Sequence, residues 1–413
     1  MQIPDVPPQL LAALGAAADG KPLALVGGVV RDLLLHRQHQ DPWKGLPDLD
    51  LVIEGSAAAM VARLSASLQR NIPELKAVRE RHHGDYGTVA VELTLPDALG
   101  GVWLLDVASA RQELYPVAAN NPIVTSGSLM QDLARRDFSV NAMALILDAT
   151  GLNGRLCDPH GGQADLARRQ LRFLHDHSLR DDPTRLVRAA RYCARLGFTL
   201  APEALPQVQG TLLAWPWMWR PGDAPASAPP ALSTRLRMEF ELLLVREPWC
   251  EALKALHRWG GMVLLDAGLQ GRSDWLGRLP WARRFGLSRL TALVANAQDP
   301  LALAERLQLP RAQQLGLQQM LRLQTRLQGL HPLSPSGWCE LLEAPGCSPQ
   351  AVALAVVRGV QPRRALWRWW ARWRHLHSPL SGRQLMALEG LSPGPALGQR
   401  LRELRAERLD QLG

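Results

Sequence analysis

Residues 47–55 read PDLDLVIEG, and two aspartates in this stretch lie one residue apart, directly ahead of an apolar run. Successive side chains on a β-strand point to opposite faces, so Asp48 and Asp50 would share one face. Two carboxylates this close repel each other unless a cation lies between them. Mg²⁺ prefers oxygen ligands and often binds carboxylates together with substrate phosphates. The stretch therefore predicts a strand that carries a divalent cation, with a polar turn ahead of a strand as the plainer alternative.

The length and charge of the chain narrow the range of functions. Its 413 residues are 47% hydrophobic, which is enough for two to four domains with their own cores. The net charge is +9, and only four of the 47 basic residues are lysine, so 43 are arginine. An arginine-rich basic chain suits a polyanionic partner, although a merely soluble basic surface is the alternative.

Cysteine usage and hydropathy exclude several classes of protein. The five cysteines are odd in number and show no CxxC pair, which argues against a disulfide framework or a zinc module and favours a reducing compartment. The first residues, MQIPDVPPQLLAALGAAADGK, lack the basic start of a secretory signal. An apolar run of about 18 residues, as a membrane span requires, is absent. We expect a cytoplasmic protein without a membrane partner.

Residues 23–150 mix strand-like and helix-like segments. Strands are predicted at LALVGGVV (23–30), LDLVIEG (49–55), TVAVEL (88–93) and VWLLDVA (102–108), and a helix at AAAMVARLSASL (57–68). From about residue 160 the spacing is helical, without a convincing strand or internal repeat. Residues 215–231, rich in proline and small residues, predict a long loop between helices. The pattern favours an α+β head followed by an all-helical remainder.

Two further stretches carry chemistry that suits an anion. In LVGGVVRD (25–32) a strand runs into paired glycines, whose backbone amides can approach phosphate, and Arg31 adds a charged fork. ARRDFSVNAMAL (134–145) places Arg136 and Asn141 on what reads as an otherwise apolar helix, where they could hold a triphosphate. The alternatives are an ordinary glycine turn and a plain surface patch. Asp106, in LLDVA, is either a third carboxylate of the cation site or a hydrogen-bonded residue at a strand end.

The stretch RDDPTRLVRAARYCARLGF (180–198) spaces an acid and three arginines at helical intervals. Asp182 and Arg185 are three residues apart and would share a helix face, which Arg188 and Arg191 continue. Such a stripe is also typical of a solvated face or of an ion-pair ladder.

Taken together and in order, these motifs resemble those of the class II tRNA nucleotidyltransferases and bacterial poly(A) polymerases, which are polymerase-β-like nucleotidyltransferases. The resemblance is carried by GGVVRD (27–32) with DLD (48–50), RRDFSVNAMA (135–144), DPHGGQADL (158–166), DDPTR (181–185), STRLRMEFELLL (233–244) and SPGPALGQRLREL (392–404). The chain departs from the family pattern at Asp181, where glutamate is usual, and in an apparent insertion, HRQHQDPWKGLP (36–47).

This resemblance implies a fold and a division of the chain. The head would be a polymerase-β-like domain with a mixed sheet over residues 1–157. A helical neck with the nucleotide-reading motif would follow over 158–250, and a helical body and tail that bind tRNA over 251–413.

The resemblance also implies the reaction and its residues. The 3′ hydroxyl of tRNA would attack the α-phosphate of CTP or ATP without a template, and Asp48 and Asp50 would be the catalytic residues that hold Mg²⁺. The residues that match the family's nucleotide site are Gly28, Arg31, Arg136, Asn141, Asp182, Arg185, Arg188 and Arg191. A stable protein partner is not implied.

The pairing of an acid with an arginine explains how two bases would be selected. A carboxylate only accepts hydrogen bonds and a guanidinium only donates them, so Asp182 and Arg185 match the amine and ring nitrogen that cytosine and adenine both present. Uracil and guanine present the reverse pattern and would leave groups unpaired, at roughly 1–3 kcal/mol per group.

Several alternatives stay open on the sequence alone. The chain could add CCA, CC or the terminal A, and the element that switches between them is expected in 111–126. A poly(A) polymerase is disfavoured because 79–93 lacks the arginine-rich insertion of the GRRFRLVHV type. A catalytically inactive RNA-binding protein is a third candidate. RRALWRWWARWRH (363–375) either packs its tryptophans in the core, which we favour, or stacks them on RNA.

Overall fold

The computed structural model describes residues 3–45, 48–71, 77–83, 87–94 and 101–411. The chain forms two compact units, Met1–Met218 and Trp219–Gly413. The boundary between these units lies inside the segment predicted as the neck, and the threefold division of the sequence stays a prediction.

The first unit is built on β-strands. They are β1 (Leu23–Val26), β2 (Leu49–Ile53), β3 (Ala77–His83), β4 (Thr88–Thr94), β5 (Val102–Ser109), β6 (Arg111–Leu114), β7 (Ile123–Ser126), β8 (Ala144–Asp148), β9 (Gly151–Cys157), β10 (Gln170–Leu171) and β11 (Thr199–Leu200). Seven of them form one mixed sheet in the order β3-β4-β5-β2-β1-β8-β9, in which only β2 and β5 are parallel neighbours. Strands are present in all four segments predicted from the sequence, and they are neighbours in the sheet in the order β4-β5-β2-β1. The segment predicted over 23–30 is a strand only as far as Val26, because helix α2 begins at Gly28.

Eight helices accompany the sheet in the described part of the first unit. They are α1 (Pro8–Ala17), α2 (Gly28–His39), α3 (Ala57–Asn71), α4 (Leu129–Ala134), α5 (Gly162–Arg168), α6 (Ser178–Asp181), α7 (Thr184–Leu196) and α8 (Ala204–Ala214). Helix α3 contacts β4 and β5 on the face where Val89, Val91 and Leu105 are buried. On the other face, Leu129 and Leu133 of α4 pack on Val26, Val52 and Ala144. The central strands are therefore covered on both faces, and Asp50 near the start of β2 is paired with Asp106 in the middle of β5.

The helix predicted over residues 134–145 is wrong. Helix α4 begins with a capping box between Ser128 and Gln131 and ends at Ala134. Phe138 then takes an extended conformation, is fully buried, and pairs with Phe173 in an isolated bridge with the rings 5.5 Å apart. Burial of this aromatic ring interrupts the helix, and only a short 3₁₀ turn, Ser139–Asn141, precedes β8.

The second unit is helical. Its helices are α9 (Thr234–Arg246), α10 (Trp249–Arg258), α11 (Ala267–Gly271), α12 (Trp281–Arg284), α13 (Arg289–Val294), α14 (Pro300–Arg306), α15 (Arg311–Leu327), α16 (Pro335–Glu343), α17 (Pro349–Arg358), α18 (Arg363–Ala371), α19 (Gly382–Glu389) and α20 (Pro395–Gln411). Helix α17 is apolar on all sides and buried from Ala351 to Val357, as a helix surrounded by others must be. It contacts α12, α13, α15, α16 and α18.

The helical remainder agrees with the sequence in most details. Strands β10 and β11 form a two-residue parallel ladder within 158–250 and interrupt its helical texture. Residues 215–231 are the expected loop, with one 3₁₀ turn at Pro225–Ser227 and a second that starts at Pro230. The five cysteines are free thiols. None of the described helices is long and apolar enough to cross a membrane.

The tryptophans of residues 363–375 differ in how deeply they are buried. Trp369 and Trp373 are buried, whereas Trp367 and Trp370 are half-buried and contact the ring of Phe285. Arg374 lies over Trp370, 3.7 Å from the ring centroid. The core interpretation concerned the helical spacing of Trp367, Trp370 and Trp373, and of these three it is confirmed for Trp373 alone.

Candidate active site

Three carboxylates meet where β2 and β5 lie side by side. Asp50 and Asp106 are paired in the parallel register of these strands, and Asp48 directly precedes β2. Each of the three residues offers an oxygen within 4.8 Å of the others. The expected proximity of Asp48 and Asp50 is therefore present, and Asp106 joins them as the third carboxylate.

The electrostatics of this cluster favour a cation. Burial and the neighbouring charge of Asp48 raise the pKa of Asp50 to about 6. Burial and Asp106 likewise raise the pKa of Asp48 above its usual range. Carboxylates that crowd in this way are stabilised in their charged form by a hard divalent ion, for which three oxygen donors are a suitable set.

The turn between β1 and α2 approaches the carboxylates closely. Gly27 has a φ of +68°, in the left-handed region that favours glycine. A Cβ at this position would lie 3.2 Å from Oδ2 of Asp50 and 3.3 Å from Nη1 of Arg136. Gly28, the glycine that the family resemblance assigns to the nucleotide site, is the first residue of α2. A Cβ added at Gly28 would lie no closer than 3.6 Å to its nearest neighbour, Nη2 of Arg31. Gly27 is therefore the residue that permits the close approach, and the glycine pair was its signal in the sequence.

Arg31, Arg136 and Asn141 form one group beside this turn. Arg31 is buried and donates a hydrogen bond of 2.9 Å to the amide oxygen of Asn141, and its Nε lies 2.7 Å from Asp32. Arg136 forms an ion pair of 3.0 Å with Asp132. The structure brings together the three residues that the sequence assigned to the triphosphate.

Asp132 was not recognised from the sequence. Its side chain is fully buried and pairs with both Arg135, at 2.7 Å, and Arg136, at 3.0 Å. The signal was the spacing of three and four residues from one acid to two arginines. This acid fixes the direction in which the two guanidinium groups point.

The expectation that Asp182 and Arg185 share a helix face is wrong. Helix α7 begins at Thr184, and Asp182 precedes it in an extended conformation, since a residue before proline is disfavoured in the helical region. The Asp182 carboxylate accepts hydrogen bonds from the backbone N–H of Thr184, at 3.0 Å, and from its hydroxyl, at 2.6 Å. Arg185 lies in the first turn of α7, is 4% exposed, and donates to the backbone carbonyl of Arg135.

Asp137 is a second acid that the sequence did not single out as a partner. It pairs with Arg188 and lies 3.4 Å from Nε of Arg185. Burial alone would raise the pKa of Asp137, but these two arginines hold it below its usual range. Arg188 thus serves an ion pair of the fold, and Arg191 is buried one turn further along α7.

The segment 111–126, expected to hold a switching element, contains the hairpin of β6 and β7. Tyr115 in this segment donates a hydrogen bond to Glu113, and burial together with Glu113 raises the pKa of its phenol. The charge of Arg185 lowers the pKa of this phenol and the charge of Asp182 raises it. The segment therefore lies near this arginine and this acid. Its role as a switch stays a prediction.

Comparison with known proteins agrees with these features. A model of the poly A polymerase head domain matches residues 23–172. The CC-adding tRNA nucleotidyltransferase of Deinococcus radiodurans is 35% identical over 389 residues, which cover 92% of this chain and 83% of that protein. The A-adding tRNA nucleotidyltransferase of Halalkalibacterium halodurans is 38% identical over 195 residues, or 46% of this chain and 40% of that one.

Solved structures share the fold. An apo form of a CCA-adding enzyme aligns over 98% of this chain and 92% of its own, with a TM-score of 0.69 and 23% identity. The Thermotoga maritima CCA-adding enzyme complexed with tRNA aligns over 100% and 96%, with a TM-score of 0.65 and 22% identity. Because the similarity in sequence extends over nearly the whole of a curated relative and the carboxylate cluster is in place, the chain belongs to the tRNA nucleotidyltransferase and poly(A) polymerase family.

Proposed function

We propose that this enzyme transfers cytidylyl groups from CTP to the 3′ end of tRNA and is a CC-adding nucleotidyltransferase. The observation that carries the proposal is the extent of similarity. The CC-adding relative matches 92% of the chain, whereas the first A-adding relatives match 43–46% of it. Addition of the terminal A and addition of full CCA are the alternatives within the family.

Mg²⁺ is the proposed metal, held by Asp48, Asp50 and Asp106. When bound there, it would lower the pKa of the attacking 3′ hydroxyl and offset the charge of the leaving pyrophosphate. The carboxylates orient the ion because β2 and β5 fix their spacing.

The triphosphate is proposed to lie against the turn from β1 into α2. Gly27 allows backbone amides at the start of this helix to approach phosphate oxygens, with Gly28 as the first helical residue. Arg31 and Arg136 supply positive charge in fixed directions, because Asn141 and Asp132 hold their guanidinium groups. The proposed role of Arg188 and Arg191 is to extend this positive field from α7, with the charge of Arg188 partly offset by its ion pair with Asp137.

Asp182 and Arg185 are proposed to read the base. Hydrogen bonds from Thr184 hold the Asp182 carboxylate, and two backbone carbonyls, those of Ser178 and Arg135, hold the Arg185 guanidinium. Held in this way, the Asp182 carboxylate can accept a hydrogen bond from the cytosine amine, and the Arg185 guanidinium can donate one to the ring nitrogen. Neither group has to reorganise when the base binds. Uracil would face an unpaired buried group at each position, which costs roughly 1–3 kcal/mol each.

The test is incubation of tRNAs that lack A, CA or CCA with CTP and ATP supplied separately, in the presence of Mg²⁺. We expect CTP to extend the acceptors that lack CCA and CA, and ATP to extend none. Addition of one A to a tRNA ending in CC would overturn the restriction to cytidine, and long runs of A would identify a poly(A) polymerase.

The control variant is Asp48→Asn, which should lose incorporation and keep binding of tRNA in a filter assay. A wild-type protein that binds tRNA but extends none of the acceptors would overturn the enzymatic function altogether.

A further inference from the structure

The row of carboxylates continues across the sheet to an arginine. Asp106 on β5 is paired with Ala90 on β4, and Ala90 is paired with Arg81 on β3. Residues paired directly across neighbouring strands project from the same face. Asp50, Asp106, Ala90 and Arg81 therefore form one row, opposite to the face on which α3 covers Val91.

A second row runs parallel to the first, next to Asp48. Leu104 on β5 is paired with Glu92, and Glu92 with Arg79. The two rows line a cavity of 340 Å³ that opens at the carboxylate cluster. The cavity walls include Asp48, Asp106, Arg79, Arg81, Glu92 and Leu104.

The charges around the cluster are arranged asymmetrically. On the side of β1, the turn at Gly27 and Arg136 lies against Asp50. On the side of β5, the cavity extends over β4 to the edge strand β3. In transfer at phosphorus the attacking and leaving oxygens are roughly in line, on opposite sides of the phosphorus atom. A triphosphate on the β1 side thus requires the attacking hydroxyl to arrive from the side of this cavity.

Resting on the proposed function, we propose that this cavity holds the 3′-terminal nucleotide of the acceptor RNA and that Arg81 is a positioning residue that binds its phosphate. The Arg81 side chain is exposed and makes no hydrogen bond or ion pair with any residue that the structure describes. Ala90, between Arg81 and the carboxylates, is small enough for a ribose-phosphate to lie close to the sheet. Leu104, which is 46% exposed, offers an apolar surface for the sugar or base.

Arg79 contributes less positive charge to this cavity than Arg81 does. It lies 3.4 Å from Glu92, which offsets some of its charge, and its side chain is 77% exposed. The charge of Glu92 also opposes phosphate binding in the cavity. Removal of this acid should therefore strengthen the binding of the acceptor end.

Charged residues on β3 have a second explanation, since such side chains on an edge strand prevent pairing with other sheets. Glu80, which alternates with Arg79 and Arg81 on β3, accepts a hydrogen bond of 2.7 Å from the Ser65 hydroxyl and fits that explanation. If Arg81 served only to protect the sheet edge, its substitution would leave tRNA binding unchanged. Measurements of tRNA binding therefore separate the two roles of Arg81.

The decisive variant is Arg81→Gln, compared with Arg155→Gln, which removes an exposed arginine from β9 at the opposite edge of the sheet. The ligands are a tRNA lacking CCA and the same tRNA shortened by a few more nucleotides at its 3′ end. We expect Arg81→Gln to raise the Kd about 3- to 10-fold for the first ligand only, and to reduce the salt slope of binding by about one. The KM for CTP should stay unchanged, and Arg155→Gln should bind both ligands as the wild type does.

Equal losses on both ligands, or unchanged binding in Arg81→Gln, would overturn the docking site. Glu92→Gln is the second variant and should lower the Kd for the longer ligand by about twofold or more; unchanged binding would overturn the part assigned to Arg79. The wild type is assayed for CTP incorporation in the same preparation. A wild type that incorporates no CTP contradicts the proposed function. An active wild type together with unchanged tRNA binding by Arg81→Gln contradicts only the docking site.

Discussion

The Nη2 atom of Arg185 donates a hydrogen bond to the backbone carbonyl oxygen of Arg135, 3.2 Å away. The guanidinium of the next residue, Arg136, lies beside Gly27, at the point where this glycine approaches the Asp50 carboxylate. The proposed base-reading arginine is thus fixed to the segment that carries the proposed triphosphate contact. Residues far apart in sequence form one continuous framework from the carboxylates to α7, so the distance between base and α-phosphate can be set before substrate binds.

Substitution of Arg185 by lysine should therefore impair catalysis even though the charge is kept. Lysine lacks the planar fork that reaches Ser178, Arg135 and Asp137 together. We expect kcat/KM for CTP to fall by about 100-fold, which corresponds to roughly 2.7 kcal/mol. Discrimination against UTP should weaken in the same variant.

The matched control is Arg168→Lys, at an exposed position on α5, which should leave both rates unchanged. If Arg185→Lys kept wild-type discrimination between CTP and UTP in a steady-state assay, its role in reading the base would be excluded.

Asp50→Asn should change the pH dependence of stability. Without a cation, the folded-state pKa of Asp50 is about 6, above its ordinary value of 3.8. The folded state therefore holds the Asp50 proton more tightly than the unfolded state, and wild-type stability falls as pH rises from about 4 through about 6. The variant lacks this loss and should be the more stable protein at pH 7.5, by up to about 3 kcal/mol.

Urea unfolding in EDTA at several pH values measures this difference, which should vanish below about pH 4. Saturating Mg²⁺ should stabilise the wild type and have little effect on Asp50→Asn, because the variant lacks a charged ligand. A stability difference that stayed constant between pH 4 and 7.5 would show that repulsion at the carboxylate cluster is not its cause.

The sequence predicted the strands around the site because their residues are locally consistent. DLDLVI (48–53) combines an apolar run with two acids at one end, and LALV is followed by a glycine pair, so period and turn chemistry agree. The helix predicted across Phe138 failed because burial of that ring against Phe173 is a tertiary contact. The same limit explains why Asp137 was not recognised as the partner of Arg188, some 50 residues away along the chain. Local pattern found the charged residues, and long-range packing decided which of them pair.

Gly162→Ala should destabilise the first unit severely. A Cβ at Gly162 would clash with the backbone carbonyl oxygen of Ser139 and lie 2.8 Å from the sulfur of Met143. Overpacking of this kind costs about 1–3 kcal/mol or more. Thermal unfolding should show a lower Tm, whereas Gly210→Ala on α8, where nothing lies within 4 Å, should raise the Tm slightly. A Gly162→Ala protein as stable as the wild type would mean that α5 does not pack against the Ser139 turn in this way.

Gly27→Ala should separate a backbone cost from a catalytic one. Gly27 and Gly20 both have a positive φ, at +68° and +72°, and alanine in the left-handed helical well costs about 1–2 kcal/mol. The ψ of −130° at Gly27 lies outside that well, so alanine costs more at Gly27. Only at Gly27 would the added Cβ crowd Asp50 and Arg136, because nothing lies within 4 Å of a Cβ at Gly20. We expect Gly20→Ala to lose stability and keep activity, and Gly27→Ala to lose more stability together with at least about tenfold in kcat/KM for CTP. Urea unfolding and initial rates on the same preparations measure both effects. Equal activity per folded molecule in the two variants would contradict a phosphate-binding role for the turn between β1 and α2, because Gly27, unlike Gly20, lies beside the Asp50 carboxylate.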